Sequence, residues 1–460
     1  MKKYDIVIIG AGPGGYVAAI RVAQLGGKVC LVEKDQVGGV CLNRGCIHTK
    51  CLIRSVEVLR EIEEAPRYGL QVDGWRFDYA KAMRRCQGVV GRLRSGISSL
   101  LKARNIDLVK GAGRIVEGGV EVTLDDGKIE RVLADKTIVA TGSRPYELPN
   151  LRFDDANVIS SDDALQLEAT PKSILIVGGG VIGCEFAGIF NELGSEVTIV
   201  EMMKQILPTE DIEVARRLQA SFKQRGIKTL VGTKVENIER KAGVMVAELS
   251  TGKTVEAEKV LVCVGRKANI EDIGLEAVGV EVDKGWVKVN EHLTTNLPHI
   301  YAIGDVIGGY LLAHVASAEG IVAAECAMGK ARRIDYKAVP NCIFTHPQIA
   351  SCGLTEAMAK EAGYDVRVGK FPFTALGKAQ AVGEVEGFIK LVGDAKSDRL
   401  LGAQIIGTRA TDLIAELVLA IRCEATVSKV AETIHAHPTF AEAITEAAHS
   451  LHGRSIHSLD

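Results

Sequence analysis

The chain has 460 residues, enough for two to four domains and several full cores without a disulfide framework. Hydrophobic residues make up 47% and charged residues 25%, which excludes the disordered and fibrous classes. Lys and Arg total 56 against 58 Asp and Glu, and a net charge of −2 gives no electrostatic reason to expect nucleic acid or an anionic membrane as partner.

From the N-terminus, Tyr4 to Ile9 reads as a short buried strand. Gly10-x-Gly12-x-x-Gly15 follows, then a helix over Tyr16 to Leu25 and a strand Val29 to Val32 that ends on Glu33. Asp5 and the glycines break any signal-peptide reading of the start. In this pattern the first glycine allows a tight turn. The second lets a pyrophosphate approach the backbone at a helix N-terminus, and the third lets helix pack on strand. The acid accepts hydrogen bonds from a ribose.

Next comes GGVCLNRGCIHTK, Gly38 to Lys50. Cys41 and Cys46 do not suit zinc, since the common knuckle spacings are shorter and there is no matching second pair. In an unbroken helix, residues five apart have Cα atoms roughly 8–9 Å apart. A disulfide reaches only about 7 Å. A bridge therefore requires distortion on the Gly45 side, or a helix that begins within the segment. So small a closed loop stabilises little, which favours a redox pair over a structural bridge; the alternative is two buried helix thiols. Cys51 reads as a core thiol. Cys86, Cys263, Cys326 and Cys423 read as buried thiols of a reducing, cytoplasmic compartment.

Strand-rich stretches fill 106–142 and 227–264, closing on Thr137 to Ala140 and Val260 to Val264. Between them the opening pattern recurs: Ile174 to Val177, Gly178-x-Gly180-x-x-Gly183, a helix to Leu193, a strand Val197 to Val200, and Glu201. Two copies imply two dinucleotides in a doubly wound α/β fold. The longest apolar run, Ile174 to Phe190, is cut by glycines and Glu185, so no spanning helix is expected. Ile300 to Ile303 is another strand, ending in Gly304-Asp305. From Val339, short strands (Cys342–Thr345, Phe388–Leu391, Ala403–Ile406) precede a helical tail over 410–452, reading as a separate α+β domain.

The two dinucleotide units, Cys41-x4-Cys46, Gly304-Asp305 and the stretch from His435 to Glu442 resemble the pyridine nucleotide–disulfide oxidoreductases over essentially the whole chain. The resemblance is strongest to the branch acting on dihydrolipoyl groups. It implies an FAD domain over 1–148, an NAD domain over 149–270, a central domain over 271–338 that completes the FAD site, and an interface domain over 339–460 that forms a homodimer. FAD would lie on Gly10, Gly12, Gly15 and Glu33, with Lys50, Gly113, Thr141, Gly142, Gly304, Asp305, Leu312 and Ala313 beside it. NAD would lie on Gly178, Gly180, Gly183, Glu201 and Gly265, and Lys50 would pair with Glu185 at the flavin. Cys46 would face the flavin and Cys41 would exchange with substrate. His437 would be the base, held by Glu442 and supplied by the other subunit, with His435 structural.

The implied reaction oxidises dihydrolipoyl groups on a separate protein of a 2-oxo acid or glycine-cleavage complex. Electrons would pass through the Cys41–Cys46 disulfide and FAD to NAD+, with no metal, nucleic acid or membrane insertion. The rival is an NADPH-dependent reductase of a disulfide such as glutathione. Glu201-Met202-Met203-Lys204-Gln205 offers a ribose acceptor and no arginine for a 2′-phosphate. Val181 stands where glutathione reductases have tyrosine, and the tail Ser455 to Asp460 lacks the cysteine pair of mercuric reductases. Two positions depart from the family pattern: His48, where proline is usual, and Arg44, where an apolar residue is common. They bear on local shape and redox potential rather than on reaction class.

Overall fold

The computed structural model describes residues 2–459 apart from Asn150, Asp155 and Ala242. The chain forms two compact units: residues up to Tyr146 with Ser161–Ala169 and Gly265–Ile334, and Glu147–Ser160 with Thr170–Val264 and the rest from Asp335.

In the first unit, β1 (Lys3–Ile9), α1 (Pro13–Gln24) and β2 (Val29–Glu33) form the expected βαβ unit. Ile6 to Ile9 are all buried, an unbroken apolar run that suits a parallel strand covered on both faces. Pro13 sits in the first turn of α1, where no amide is lost to the ladder. Three helices follow: α2 (Gly39–Arg44), α3 (Cys46–Glu64) and α4 (Tyr79–Ala103). The strands β3 (Asp107–Lys110), β4 (Ala112–Val116), β5 (Gly119–Thr123) and β6 (Ile129–Val139) complete the layer. The sheet runs β3-β2-β1-β6-β5-β4. The end of β6 pairs parallel with β1 (Ile9 opposite Val139) and with the strand Ile300–Ala302. Its beginning turns away to pair antiparallel with β5. β6 is therefore longer than the apolar stretch Thr137 to Ala140 suggested, because its first half is an amphipathic meander strand.

The second unit repeats this plan. Ser173–Val177 is central, with Glu196–Glu201 and Lys228–Val231 on one side and Lys259–Val262 and Val158–Ile159 on the other, all parallel. An antiparallel trio, Val235–Lys241, Val244–Leu249 and Thr254–Ala257, stands where the meander stood. The remainder of the unit is a five-stranded antiparallel sheet whose core includes Phe371, Phe373, Ile389, Ile405, Leu417 and Ile444. The helical tail is three helices, Ala410–Arg422, Val427–Glu432 and Glu442–Leu451. Glu424, at φ 54°, ends the first, and the extended Thr433 ends the second. Cys423 is exposed there, against the expectation of a buried thiol.

Lys390, 1% exposed, meets Asp211 at 3.1 Å, Glu213 at 2.6 Å and Glu356 at 2.9 Å. Burial disfavours its charge, and the three carboxylates more than offset that. Among the described residues no helix is long and apolar enough to cross a membrane.

Candidate active site

The two glycine loops are built alike. Gly10 has φ +103°, and a Cβ there would lie 2.2 Å from the Ala140 carbonyl oxygen. A Cβ on Gly15 would lie 1.8 Å from the Gly10 oxygen, so helix and strand approach too closely for any side chain. Gly178 (φ +107°) and Gly183 repeat this against Cys263 at 2.4 Å and Gly178 at 2.1 Å. Gly12 and Gly180 are the N-caps of α1 and of the helix Val181–Glu192, and neither brings a capping side chain to the first-turn amides. Backbone is thus bare at both helix starts, which fits a pyrophosphate.

The acids close both loops the same way. Glu33 accepts the Ala11 N–H at 2.7 Å and the Asp35 N–H at 2.8 Å, one on each oxygen. Glu201 accepts Gly179 N–H at 2.6 Å and Met203 N–H at 2.7 Å. A carboxylate has about four lone-pair sites, so each keeps capacity for a ribose hydroxyl.

Other cofactor candidates gather at the strand ends of the first unit. Thr141 donates to the Asn269 carbonyl at 2.7 Å, and Gly142 accepts the Asn269 N–H at 2.9 Å. Gly304 donates to buried Glu319 at 2.6 Å. Asp305 accepts the Ser143 hydroxyl at 2.5 Å, and Arg266 donates to that hydroxyl at 2.7 Å, standing 3.8 Å from Asp305. Leu312 is the N-cap and Ala313 the first residue of the helix Ala313–Ala327. Gly265 accepts the Tyr146 N–H at 3.0 Å. Gly113 lies within the core: a Cβ there would crowd Ile9, Val32 and Val120 at 3.1–3.3 Å, so packing alone accounts for its size. Glu185 is buried and accepts the Phe344 N–H at 3.0 Å. Sequence reasoning did not single out Ser143, Arg266 or Glu319, although Ser143 and Arg266 each follow a glycine that closes a strand.

The cysteine segment breaks where a bridge would require it. Cys41 lies on the six-residue α2, Gly45 leaves helical geometry at φ −148° and ψ −118°, and Cys46 starts α3. Both thiols are half-buried. They share a hydrogen bond, which with burial holds the Cys41 thiol far above the ordinary range; Lys50 pulls the other way. Gly38 donates to the Ala11 carbonyl at 2.8 Å, seating the segment on the first glycine loop.

Arg44 has a local reason. It pairs with Asp35 and lies 3.5 Å from Asp162, tying the segment to the turn after Glu33. Asn43 donates to the carbonyls of Val37 at 3.1 Å and Gly39 at 2.8 Å, and accepts Arg94 at 3.1 Å. His48 is 6% exposed and its buried Nε2 has no hydrogen-bond partner among the described residues. Burial holds its imidazole below the usual value, a hydrogen bond to Asn43 backbone opposing. Cys51 is buried as expected and hydrogen-bonded to Cys86, whose thiol burial pushes up to about 11.

In the tail, His437 Nδ1 lies 2.8 Å from Glu442 Oε1, and the Thr439 N–H donates to Oε2 at 2.8 Å. Burial raises the Glu442 carboxyl, but Thr439 and His437 outweigh it and keep it below the ordinary value, hence ionised. A nitrogen facing a carboxylate carries the proton, which leaves Nε2 able to accept one. The His437 side chain is 78% exposed. The His435 side chain is buried between Glu416 at 2.8 Å, the Thr433 carbonyl and Thr445.

Comparison with known proteins agrees with this geometry. Residues 339–448 match the pyridine nucleotide-disulphide oxidoreductase dimerisation domain. The dihydrolipoyl dehydrogenase of Bacillus subtilis (strain 168) is 46% identical over 99% of each chain, and that of Thermus scotoductus is 44% identical over 100% of each. Among solved structures, LpdA from Mycobacterium tuberculosis superposes with a TM-score of 0.92 at 27% identity, covering 98% of this chain and 100% of its own. The HOCl-induced flavoprotein disulfide reductase RclA from Escherichia coli reaches 0.88 at 27% identity over 97% and 99%. Residues 4–320, which hold both glycine loops and both cysteines, match the pyridine nucleotide-disulphide oxidoreductase model, and the chain belongs to that family.

Proposed function

We propose that this chain oxidises protein-bound dihydrolipoyl groups to the lipoyl disulfide and delivers the electrons to NAD+. The observation that carries the reading is the Cys41–Cys46 pair set astride the Gly45 helix break and seated on the first of two dinucleotide loops. When bound, FAD supplies two-electron transfer between a dithiol and a nicotinamide. Gly10, Gly12, Gly15, Glu33, Lys50, Thr141, Gly142, Gly304, Asp305, Leu312 and Ala313 would hold it. Gly178, Gly180, Gly183, Glu201 and Gly265 would hold NAD, and Lys50 would pair with Glu185.

The protein's own steps are thiol chemistry. His437 Nε2 takes a proton from one dihydrolipoyl thiol. The thiolate attacks Cys41 sulfur, breaking the Cys41–Cys46 bond and leaving Cys46 as the thiolate. The second substrate thiol gives its proton to the departing Cys41 sulfur as its own sulfur attacks the substrate sulfur of the mixed disulfide. This releases the cyclic disulfide and leaves Cys41 as a thiol, so two electrons have passed to the cysteine pair, with one proton on Cys41 and one on His437. Glu442 fixes the His437 tautomer. His437 would come from the other chain of a homodimer, and the chain would work in the cytoplasm beside a separate lipoyl-bearing protein.

Turnover separates this from a glutathione reductase. We expect activity with free dihydrolipoamide and NAD+, little with NADP+, and none with reduced glutathione. Preference for glutathione with NADP+ would overturn the reading. Mixing Cys41→Ser chains with His437→Gln chains, each nearly inactive alone, should restore activity as subunits exchange. Verified heterodimers that stay inactive would place the base elsewhere.

A further inference from the structure

We propose that the outer face of α4 is the docking surface for an acidic protein that carries the lipoyl group, an inference that rests on the dihydrolipoyl reading above. α4 holds six cations and no acid in 25 residues, in a chain whose net charge is −2. At about 100° per residue, Lys81, Arg84, Arg85, Arg92 and Lys102 fall on one side. Tyr79, Met83, Cys86, Val90 and Leu101 are buried on the other. All five of these cations are exposed. Among the described residues Lys81, Arg84, Arg92 and Lys102 make no ion pair, whereas Arg54 on neighbouring α3 meets Glu61 at 2.8 Å. Unpaired like charges at helical spacing repel one another, so the fold itself gains nothing from this arrangement.

The same face carries helical glycines that the fold does not need. A Cβ on Gly91 or Gly96 would meet nothing within 4 Å, and one on Gly88 only the end of Arg92 at 3.7 Å. Interior helical glycine destabilises relative to alanine. A flat, positive strip suits close approach by an opposed surface.

The site of that approach fits the occupant. Arg94 on the same helix donates to Asn43 at 3.1 Å and to Gln36 at 3.1 Å, so α4 is tied to the segment between Cys41 and Cys46. A partner drawn to α4 arrives beside the thiols that its lipoyl arm must meet. A second copy of this chain fits less well, since α4 against α4 would set cation on cation. Nucleic acid fits less well too, since α4 presents no exposed aromatic ring for stacking. Charge of this kind acts mainly on association, by 10–10³-fold, and is screened by salt.

The test compares two substrates of one holoenzyme: a reduced lipoylated domain of net negative charge, and free dihydrolipoamide. The double variant Arg84→Glu/Arg92→Glu should lose about tenfold or more in kcat/KM for the domain at low salt and keep its value for the free substrate. Added salt should remove most of the difference. Gly91→Gln, which should stabilise the helix, should also lower kcat/KM for the domain alone. Equal kcat/KM of wild type and variants with the domain would overturn the proposal. So would dissociation of the dimer in sedimentation, which would make α4 a self-interface. Loss of duplex RNA retention by the variant, with domain turnover unchanged, would overturn it in favour of nucleic acid. Failure of wild type with free dihydrolipoamide would instead overturn the function reading.

Discussion

Glu33 and Glu201 each take two backbone N–H groups, one from the glycine loop before them and one from the turn after, at 2.6–2.8 Å. What lies over the two loops differs. On the first, Gly38 bonds the loop carbonyl of Ala11, and Gly39 passes so near Gly12 that a Cβ on Gly39 would come 2.6 Å from its Cα. Arg44 adds a charged tie to Asp35. On the second loop a Cβ at Gly180 would meet nothing within 4 Å, and Met202 and Met203 beyond Glu201 are 59% and 49% exposed. One motif thus supports two behaviours. A loop roofed by the cysteine segment suits a cofactor that stays, and an open loop suits one that comes and goes.

The largest effect should come from the roof. Cys46→Ser should lower dihydrolipoamide–NAD+ turnover by more than about 10³-fold, because the bridge can no longer form. Both loops remain, so flavin content and NADH-to-dye transfer should persist. Loss of flavin in this variant would show that the cysteine, rather than the loop, holds the cofactor.

The loops can be broken one at a time. Gly15→Ala and Gly183→Ala each force a Cβ to within about 2 Å of a carbonyl oxygen. Such overpacking typically costs about 1–3 kcal/mol. Gly15→Ala should purify depleted of flavin. Gly183→Ala should stay yellow and show a raised KM for NAD+. The reverse pattern would exchange the two assignments.

The acids sharpen the comparison further. A lost hydrogen bond from a charged group is worth ~1.5–3 kcal/mol, or roughly 10–150-fold. Glu201→Gln should lower kcat/KM for NAD+ by about that factor and narrow the preference over NADP+, while Glu33→Gln should act on flavin retention. An unchanged cofactor ratio in Glu201→Gln would place the ribose contact elsewhere.

The smallest effect concerns His48. Its folded value lies below the ordinary 6.5, so its contribution to stability is present above that pH and is lost as pH falls through the folded value. His48→Ala removes that loss. The urea midpoint of the variant should gain on wild type as pH drops from about 7 to about 5.5. A gap that does not change with pH would show that His48 is not a buried neutral ring.

Both βαβ units were legible in the sequence because Gly10, Gly15, Gly178 and Gly183 are places where backbone meets backbone, and only one residue type satisfies that. The broken cysteine segment was legible for a similar reason: spacing alone excluded a bridge on a regular helix, and Gly45 supplies the break. Long-range partners were not legible. Lys390 sits in a strand that reads as plain Phe-Ile-Lys-Leu-Val, and its partner Asp211 is 179 positions away. Arg44 finds Asp162 through folding alone. The tail read as continuous helix although Pro438 lies in its second break, between Glu432 and Glu442; the first, at Glu424, uses a residue that is not a helix breaker by type.

Cys41 and Cys46 should be the redox pair that exchanges electrons with NAD. The direct measurement reduces oxidised holoenzyme with NADH without oxygen, quenches in acid, unfolds, alkylates and maps the peptides. Two new alkylation sites per chain are expected, at Cys41 and Cys46, with the other cysteines alkylated equally before and after. No new site, or new sites at Cys51 and Cys86 instead, would contradict it.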